Sequence, residues 1–307
     1  MKLDEIQGQE TALQYLRTYI QNPGKIPPLL IFHGPSGTGK WSGAERFSFT
    51  VLCEKGTGCG HCISCKSFYQ HQHPDYIQFP AGERVPIGDE KNPEEFTIRW
   101  LLSKRIAYQP HLSSYRIVLF PNAGMINNEA ETALLKTLEE PPSHTRFIFI
   151  TEKLEDLKQT ILSRGVSIGF GYLSRNTVRQ ITDSLSIPYE EYFGGSVNPL
   201  NCPPEVLNLI RTKIEELSGS GISLIELENW IRNYKSDHEE WEENFSYPEF
   251  LEAFTAVLIH HLSKSSHRNR DQILEKIFLF KENIHKDIPG LDHFIISRLF
   301  FDLSVLV

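Results

Sequence analysis

Apolar positions fall into two regimes along the chain. In the first half, short apolar runs alternate with stretches in which apolar residues recur every three or four positions. Residues 11–20 carry Leu13, Leu16, Tyr19 and Ile20 at helical spacing, which predicts an amphipathic helix. Pro27 and Pro28 interrupt the pattern, and Leu29–His33 (L-L-I-F-H) predicts a short strand. A glycine-rich turn follows, then a helical stretch up to Cys53. Arg116–Phe120 (R-I-V-L-F) and residues 147–151 (F-I-F-I-T) predict two more buried strands. Between them, residues 128–138 form a predicted helix rich in good helix formers and closed by Pro141 and Pro142. Short apolar strands alternating with helices indicate a parallel sheet covered by helices.

From about Ser174 the strand pattern stops. Residues 177–185 predict a helix, and residues 192–202 are interrupted by Gly194, Gly195 and Pro199. Pro203 and Pro204 read as a linker. Five amphipathic stretches follow, at residues 206–217, 224–234, 247–262, 271–284 and 291–306. The acidic run 239–243 reads as a solvated helix face. The expected layout is an α/β domain over residues 1–170, a small helical module over 171–203 and an all-helical domain over 204–307.

Composition narrows the class. A chain of 307 residues that is 40% hydrophobic and 23% charged is ordinary for a globular protein of about two domains. Its net charge of −8 is opposite in sign to that of a protein that wraps nucleic acid by itself, so any role at DNA is expected to be shared with partners. No apolar run approaches the roughly 18 residues of a membrane span. The polar start M-K-L-D-E-I-Q-G-Q-E lacks the apolar core of a signal peptide. A cytoplasmic location is expected, with no membrane partner, and the five cysteines are then thiols or metal ligands rather than disulfides.

Residues 34–40 read G-P-S-G-T-G-K between a predicted strand and a predicted helix. This is a phosphate-binding loop: Gly34, Gly37 and Gly39 let backbone N–H groups converge on an anion, and Lys40 neutralises β/γ-phosphate charge. The residue that should follow is a serine or threonine whose hydroxyl ligates Mg²⁺. Here it is Trp41, whose indole offers only an N–H donor. Ser42 is rotated by about 100° around a helix and should point elsewhere. The second half of a hydrolytic site, an acidic residue ending a buried strand, is replaced by Pro121 and Asn122. Neither can activate water, so hydrolysis is not expected and ATP binding is left open.

Cys59, Cys62 and Cys65 form C-x-x-C-x-x-C, with Cys53 six residues upstream and Gly56, Gly58 and Gly60 supplying turns. Four soft ligands at such spacing favour a closed, structural Cys₄ zinc site. The alternatives are an iron–sulfur cluster, replacement of one thiolate by His61, His71 or His73, and unliganded thiols. Cys202 stands alone and reads as a small buried hydrophobe.

Residues 133–142 (A-L-L-K-T-L-E-E-P-P), residues 161–165 (I-L-S-R-G), Ile6-Gln7-Gly8-Gln9 and the phosphate loop together resemble the clamp-loader branch of the AAA+ ATPases. The resemblance covers about residues 3–168. It implies an α/β P-loop (AAA+) domain with a parallel sheet and a zinc-binding insertion at about 53–65, then a small helical lid and an all-α collar that joins subunits. Within that branch the hydrolysing gamma and tau subunits keep a magnesium-binding hydroxyl, an Asp-Glu pair and a lid arginine. Trp41, Pro121 with Asn122, and Asn198 stand at those positions here, a pattern similar to the non-hydrolysing delta-prime subunits. The resemblance then implies that Arg164 serves the ATP of a neighbouring subunit, with Gly165 where the branch's serine–arginine–cysteine motif has cysteine. Implied partners are gamma/tau and delta subunits, a sliding clamp, and primed DNA reached through the complex. The rival readings are a hydrolysing subunit of that complex and a zinc-dependent nucleic-acid-binding module. Leu134, Leu135 and Leu138 read as helix core. Glu139 and Glu140, before two prolines, read as capping or solvated residues.

Overall fold

The computed structural model describes residues 3–184, 195–198, 202–218, 223–237, 247–264, 268–281, 284 and 291–306. The chain divides between Tyr172 and Leu173 into two compact units. Gly194, Pro199 and the acidic run 239–243 lie outside the described residues.

The first unit is built on five parallel strands: β1 (Leu29–His33), β2 (Tyr76–Gln78), β3 (Arg116–Phe120), β4 (Thr145–Thr151) and β5 (Val166–Gly169), in the order β2-β3-β4-β1-β5. The expected parallel sheet is present. Successive side chains of a strand point to opposite faces. Leu30 and Phe32 of β1 therefore pack with Ile117, Leu119, Ile148 and Ile168 beneath α1 (Glu10–Gln21), α2 (Lys40–Leu52) and α3 (Ile63–Tyr69). Leu29 and Ile31 pack with Ile77, Val118, Phe120, Phe147 and Phe149 on the other face. That face carries α4 (Ile98–Trp100, widening into a π-turn over Leu101–Arg105), α5 (Asn128–Glu139) and α6 (Gln159–Leu162). Burial on both faces explains why the central strands read as unbroken apolar runs.

One buried ion pair braces the unit. Asp75 accepts hydrogen bonds from the backbone N–H groups of His111, Leu112 and Ser113 and lies 3.6 Å from Arg116. Arg116 in turn donates to the carbonyls of Arg105, Tyr108 and Gln109. Both side chains are buried, so their charges are matched by each other and by main-chain dipoles.

In the second unit the described elements are helices, with no strand among them: α7 (Arg175–Ser184), α8 (Pro204–Ser218), α9 (Leu224–Asp237), α10 (Tyr247–Lys264), α11 (Arg270–Lys281) and α12 (Leu291–Leu306). Leu173 and Val178 form a small cluster with Ile181 and Val197. Helices α8–α12 share a larger core that includes Ile210, Tyr234, Phe250, Phe254 and Ile277. Pro204 is the first residue of α8 rather than part of a linker. Its missing N–H removes nothing at that position, and its fixed φ suits a helix start. No described helix is long and apolar enough to cross a membrane.

Candidate functional site

The phosphate-type loop leaves β1 and enters α2. Gly34 has φ +134°, a region closed to side chains, and a Cβ there would lie 2.0 Å from the carbonyl oxygen of Phe170. Its N–H donates to the carbonyl of Glu152 after β4. Gly39 is the N-cap of α2 and supplies no side-chain cap, so the first-turn N–H groups remain available to an anion. Lys40 is buried and its Nζ donates to the carbonyls of Gly34 and Pro35, each at 2.6 Å. A phosphate oxygen in the loop would replace those acceptors. Burial and the Lys40 charge push the His33 imidazole below its ordinary value, against a smaller opposing pull from Glu155.

Gln9 straps this loop to the end of the sheet. Its side-chain amide donates to the carbonyls of Thr38 (2.9 Å) and Gly171 (2.7 Å) and accepts from the Gly171 N–H. Trp41 projects from the first turn of α2 and is 37% exposed. Ser42 follows it, half-buried. Asn122 is exposed just after β3 and its carbonyl starts a 3₁₀ turn by accepting from Met125. Gly34→Ala is expected to destabilise the first unit by roughly 3 kcal/mol or more, because strain and overlap combine at one atom. Urea unfolding followed by circular dichroism checks this; wild-type stability would exclude the described loop geometry.

The four clustered cysteines meet between α2 and α3. Cys53 is the C-cap of α2 and Cys62 the N-cap of α3, with Cys59 on the turn between them and Cys65 in the first turn of α3. Gly56, Gly58 and Gly60 all have positive φ and reverse the chain. Glu54 accepts from the backbone N–H of Ile63 (3.1 Å) at the start of α3. The Sγ atoms of Cys53 and Cys62 are 4.0 Å apart, as are those of Cys59 and Cys65, and all four lie within 4.8 Å of one another. Zinc–sulfur bonds of about 2.3 Å in a tetrahedron require sulfurs about 3.8 Å apart, so the donor set fits a metal ion of that kind.

Backbone N–H groups of Cys59 and Cys65 point at the sulfurs of Cys53 and Cys62, at 3.4 Å each. Burial pushes the Cys53 thiol up, but N–H groups from Cys59, Thr57 and Lys55 outweigh it and bring it down to about 6. The Cys59 thiol is lowered by the N–H groups of His61 and Cys62. Burial raises Cys65. Four thiolates this close repel one another, and a cation is what lets all four ionise together.

The histidines are engaged elsewhere or apart. His61 contacts the Cys59 carbonyl and His73 contacts Ser64, and among the described residues the metal-competent group is the four cysteines. Ser64 and Ser113 both donate to the carbonyl of Leu52 at 2.6 Å. Through Ser113, which donates its N–H to Asp75, the cluster is tied to the buried ion pair. Cys202 is buried in the second unit, where burial pushes its thiol up to about 12.

Arg164 sits between α6 and β5. Strand β5 runs parallel to β1, with Leu30 opposite Val166 and His33 opposite Gly169. Arg164 therefore lies at the edge where strands begin, and the phosphate-type loop at the edge where they end. The five residues of β1, at about 3.3 Å each, set these two edges roughly 16 Å apart. Arg164 donates to the carbonyl of Thr160 (2.6 Å), the hydroxyl of Ser163 (3.1 Å) and the carboxylate of Glu139. Gly165 has no room for a side chain: a Cβ would lie 2.6 Å from Ile31 and 3.0 Å from Leu29. Asn198 lies in the second unit, its N–H donating to Ser196.

Sequence reading found the loop, the cysteines and Arg164 but not what holds them. In the sequence Gln9 is legible only as part of a motif, and Glu139 reads as a capping or solvated residue instead of an ion-pair partner. Neither partner is near in sequence: 162 residues separate Gln9 from Gly171, and 25 separate Glu139 from Arg164.

Residues 8–174 match the family described as DNA polymerase III, delta subunit. The chain is 28% identical over 194 residues to the DNA polymerase III subunit tau/gamma of Haemophilus influenzae, 61% of this chain and 27% of that protein. It is 32% identical over 184 residues to subunit tau of Escherichia coli, covering 59% of this chain and 27% of that protein. Against subunit tau of Bacillus subtilis it is 26% identical over 197 residues, covering 62% and 33%. The match thus spans about a third or less of these relatives. A crystal structure of a gamma subunit-related protein from Thermotoga maritima has a TM-score of 0.49 and 14% identity, covering 95% of this chain and 99% of that one.

Proposed function

The chain belongs to the DNA polymerase III delta-subunit family, and from that premise we propose that it is a non-hydrolysing, delta-prime-type subunit of a replicative clamp loader. Its first unit has the parallel, P-loop (AAA+) architecture of clamp-loader proteins. In this reading it joins gamma/tau-type and delta-type subunits through its helical C-terminal part, and the assembly loads a sliding clamp at primed DNA in the cytoplasm. The observation that carries the reading is the arrangement around the loop: Lys40 is in place, while Trp41, Pro121 and Asn122 hold the positions where a magnesium ligand and a water-activating carboxylate are needed. Arg164, on the opposite edge of the sheet from that loop, is suited to a neighbour's nucleotide instead of its own. The four clustered cysteines hold one structural zinc ion, which when bound ties α2 to α3 and takes no part in reaction.

A second reading, a hydrolysing subunit, draws on the complete G-x-T-G-K loop and on the tau and gamma names of the relatives. ATP turnover by the purified chain separates the two. Background hydrolysis with and without Mg²⁺ is expected, with at most weak phosphate binding that is lost in Lys40→Ala. Magnesium-dependent turnover abolished by Lys40→Ala would establish the second reading.

A further inference from the structure

We propose that Glu139 is a positioning residue for Arg164, orienting the guanidinium before it meets the neighbouring subunit's nucleotide. The inference rests on the reading of Arg164 as a residue acting in trans and adds the group that aims it.

The two residues meet for a topological reason. Crossover helices run opposite to the strands of a parallel sheet, so α5 and α6 both finish at the edge where strands begin. Glu139 is the last residue of α5 and Arg164 follows α6 by two residues. Pro141 and Pro142 end α5 immediately afterwards, so the helix cannot extend and carry the carboxylate away.

Each end of the arginine fork has its own anchor. One terminal nitrogen donates to the Thr160 carbonyl and the Ser163 hydroxyl, while the other donates to Glu139 Oε1 at 2.5 Å. Anchors on α6 alone would leave the guanidinium free to swing about them. The carboxylate of a second helix sets its direction. A guanidinium carries five N–H donors, and these contacts occupy three of them. The remaining ones can face a phosphate oxygen with the anchors intact.

The exposure of the pair decides between orienting and sequestering. Arg164 is 29% exposed and Glu139 52%, and ion pairs this open to solvent are weak. Such a contact biases rotamers of a long side chain but cannot outcompete a triphosphate. Orientation fixed in advance is worth most when a charged group must be placed accurately at a reacting centre.

The test is a reconstituted complex with gamma/tau-type and delta-type subunits, carrying wild-type, Glu139→Ala, Glu139→Gln, Glu139→Lys, Arg164→Ala or the Glu139→Ala/Arg164→Ala pair. DNA- and clamp-stimulated ATP turnover is measured against ATP concentration, and assembly by gel filtration. Glu139→Ala is expected to lower kcat roughly twofold to threefold, less than Arg164→Ala does, with KM nearly unchanged. Glu139→Lys should do at least as much, and Glu139→Gln, which keeps an acceptor oxygen at the same reach, should recover most of the rate. Added to Arg164→Ala, Glu139→Ala should do nothing further. Wild-type or faster turnover in Glu139→Ala, or an equal loss in both arginine backgrounds, overturns the positioning role. Wild-type turnover in Arg164→Ala overturns the trans reading itself, whereas loss there with a normal Glu139→Ala rate overturns only this inference.

Discussion

A complex assembled with the Arg164→Ala chain will form normally and hydrolyse ATP poorly when stimulated by DNA and clamp. Arg164 holds a permanent positive charge on a planar fork of donors, the shape that complements a phosphoryl group in flight. In other phosphoryl-transfer systems such an arginine contributes factors of about 10³ to 10⁵ at the site it serves. Only the neighbouring site adjoins this subunit, so total turnover of a ring with several sites should fall less, by roughly twofold to tenfold. Clamp loading, if every site must fire, falls further than ATP turnover does. Assembly should survive because the residue's own contacts are partly exposed and worth about 1 kcal/mol or less to folding. Arg164→Lys is the sharper variant: it keeps the charge and loses the fork, and is expected to resemble alanine. Steady-state turnover, clamp-loading rate and gel filtration of each complex are the measurements. Normal assembly with wild-type loading would reduce Arg164 to a surface residue paired with Glu139.

Removing the metal is expected to destabilise the first unit. One equivalent of zinc per chain should copurify, and Cys62→Ser or Cys65→Ser should lose it. Metal sites of this kind can supply much of the folding free energy of small domains. Here the cluster joins a domain with its own core, so a loss of roughly 3 kcal/mol or more is expected for either variant or for chelated protein. Cys65 has the greater consequence of the two, since it is buried with Phe49 and Phe68 in the same core, and its thiol is pushed upward there. Acidification should release the ion, because protons compete for the same sulfur lone pairs. Cys202→Ser is the control: it lies in the second unit and should leave metal content unchanged. Elemental analysis alongside urea unfolding with and without chelator decides the matter. Iron in place of zinc would replace the assignment with a cluster, and less than half an equivalent of any metal would leave four reduced thiols.

The sequence by itself determined the elements whose environment is uniform. Strands β1, β3 and β4 sit in the middle of the sheet, covered above and below, so their central positions are apolar on both faces and the run is visible without alignment to anything. The phosphate-type loop and the cysteine cluster were legible because backbone conformation and chelate geometry constrain residues close together in the chain. The edge strands were not. Strand β2 is three residues, Y-I-Q, and β5 is V-S-I-G with one buried position. Each pairs on one side only, so half its surface imposes no apolar requirement and no periodic signal survives. Tertiary structure alone decided that β5 lies beside β1, and with it that Arg164 stands across the sheet from its own chain's loop. It also decided that Glu139 meets Arg164 and that Gln9 reaches Gly171. Local patterns record what a residue is buried against, but not which distant segment does the burying; that follows from strand order, and strand order is set by the packing of the whole sheet.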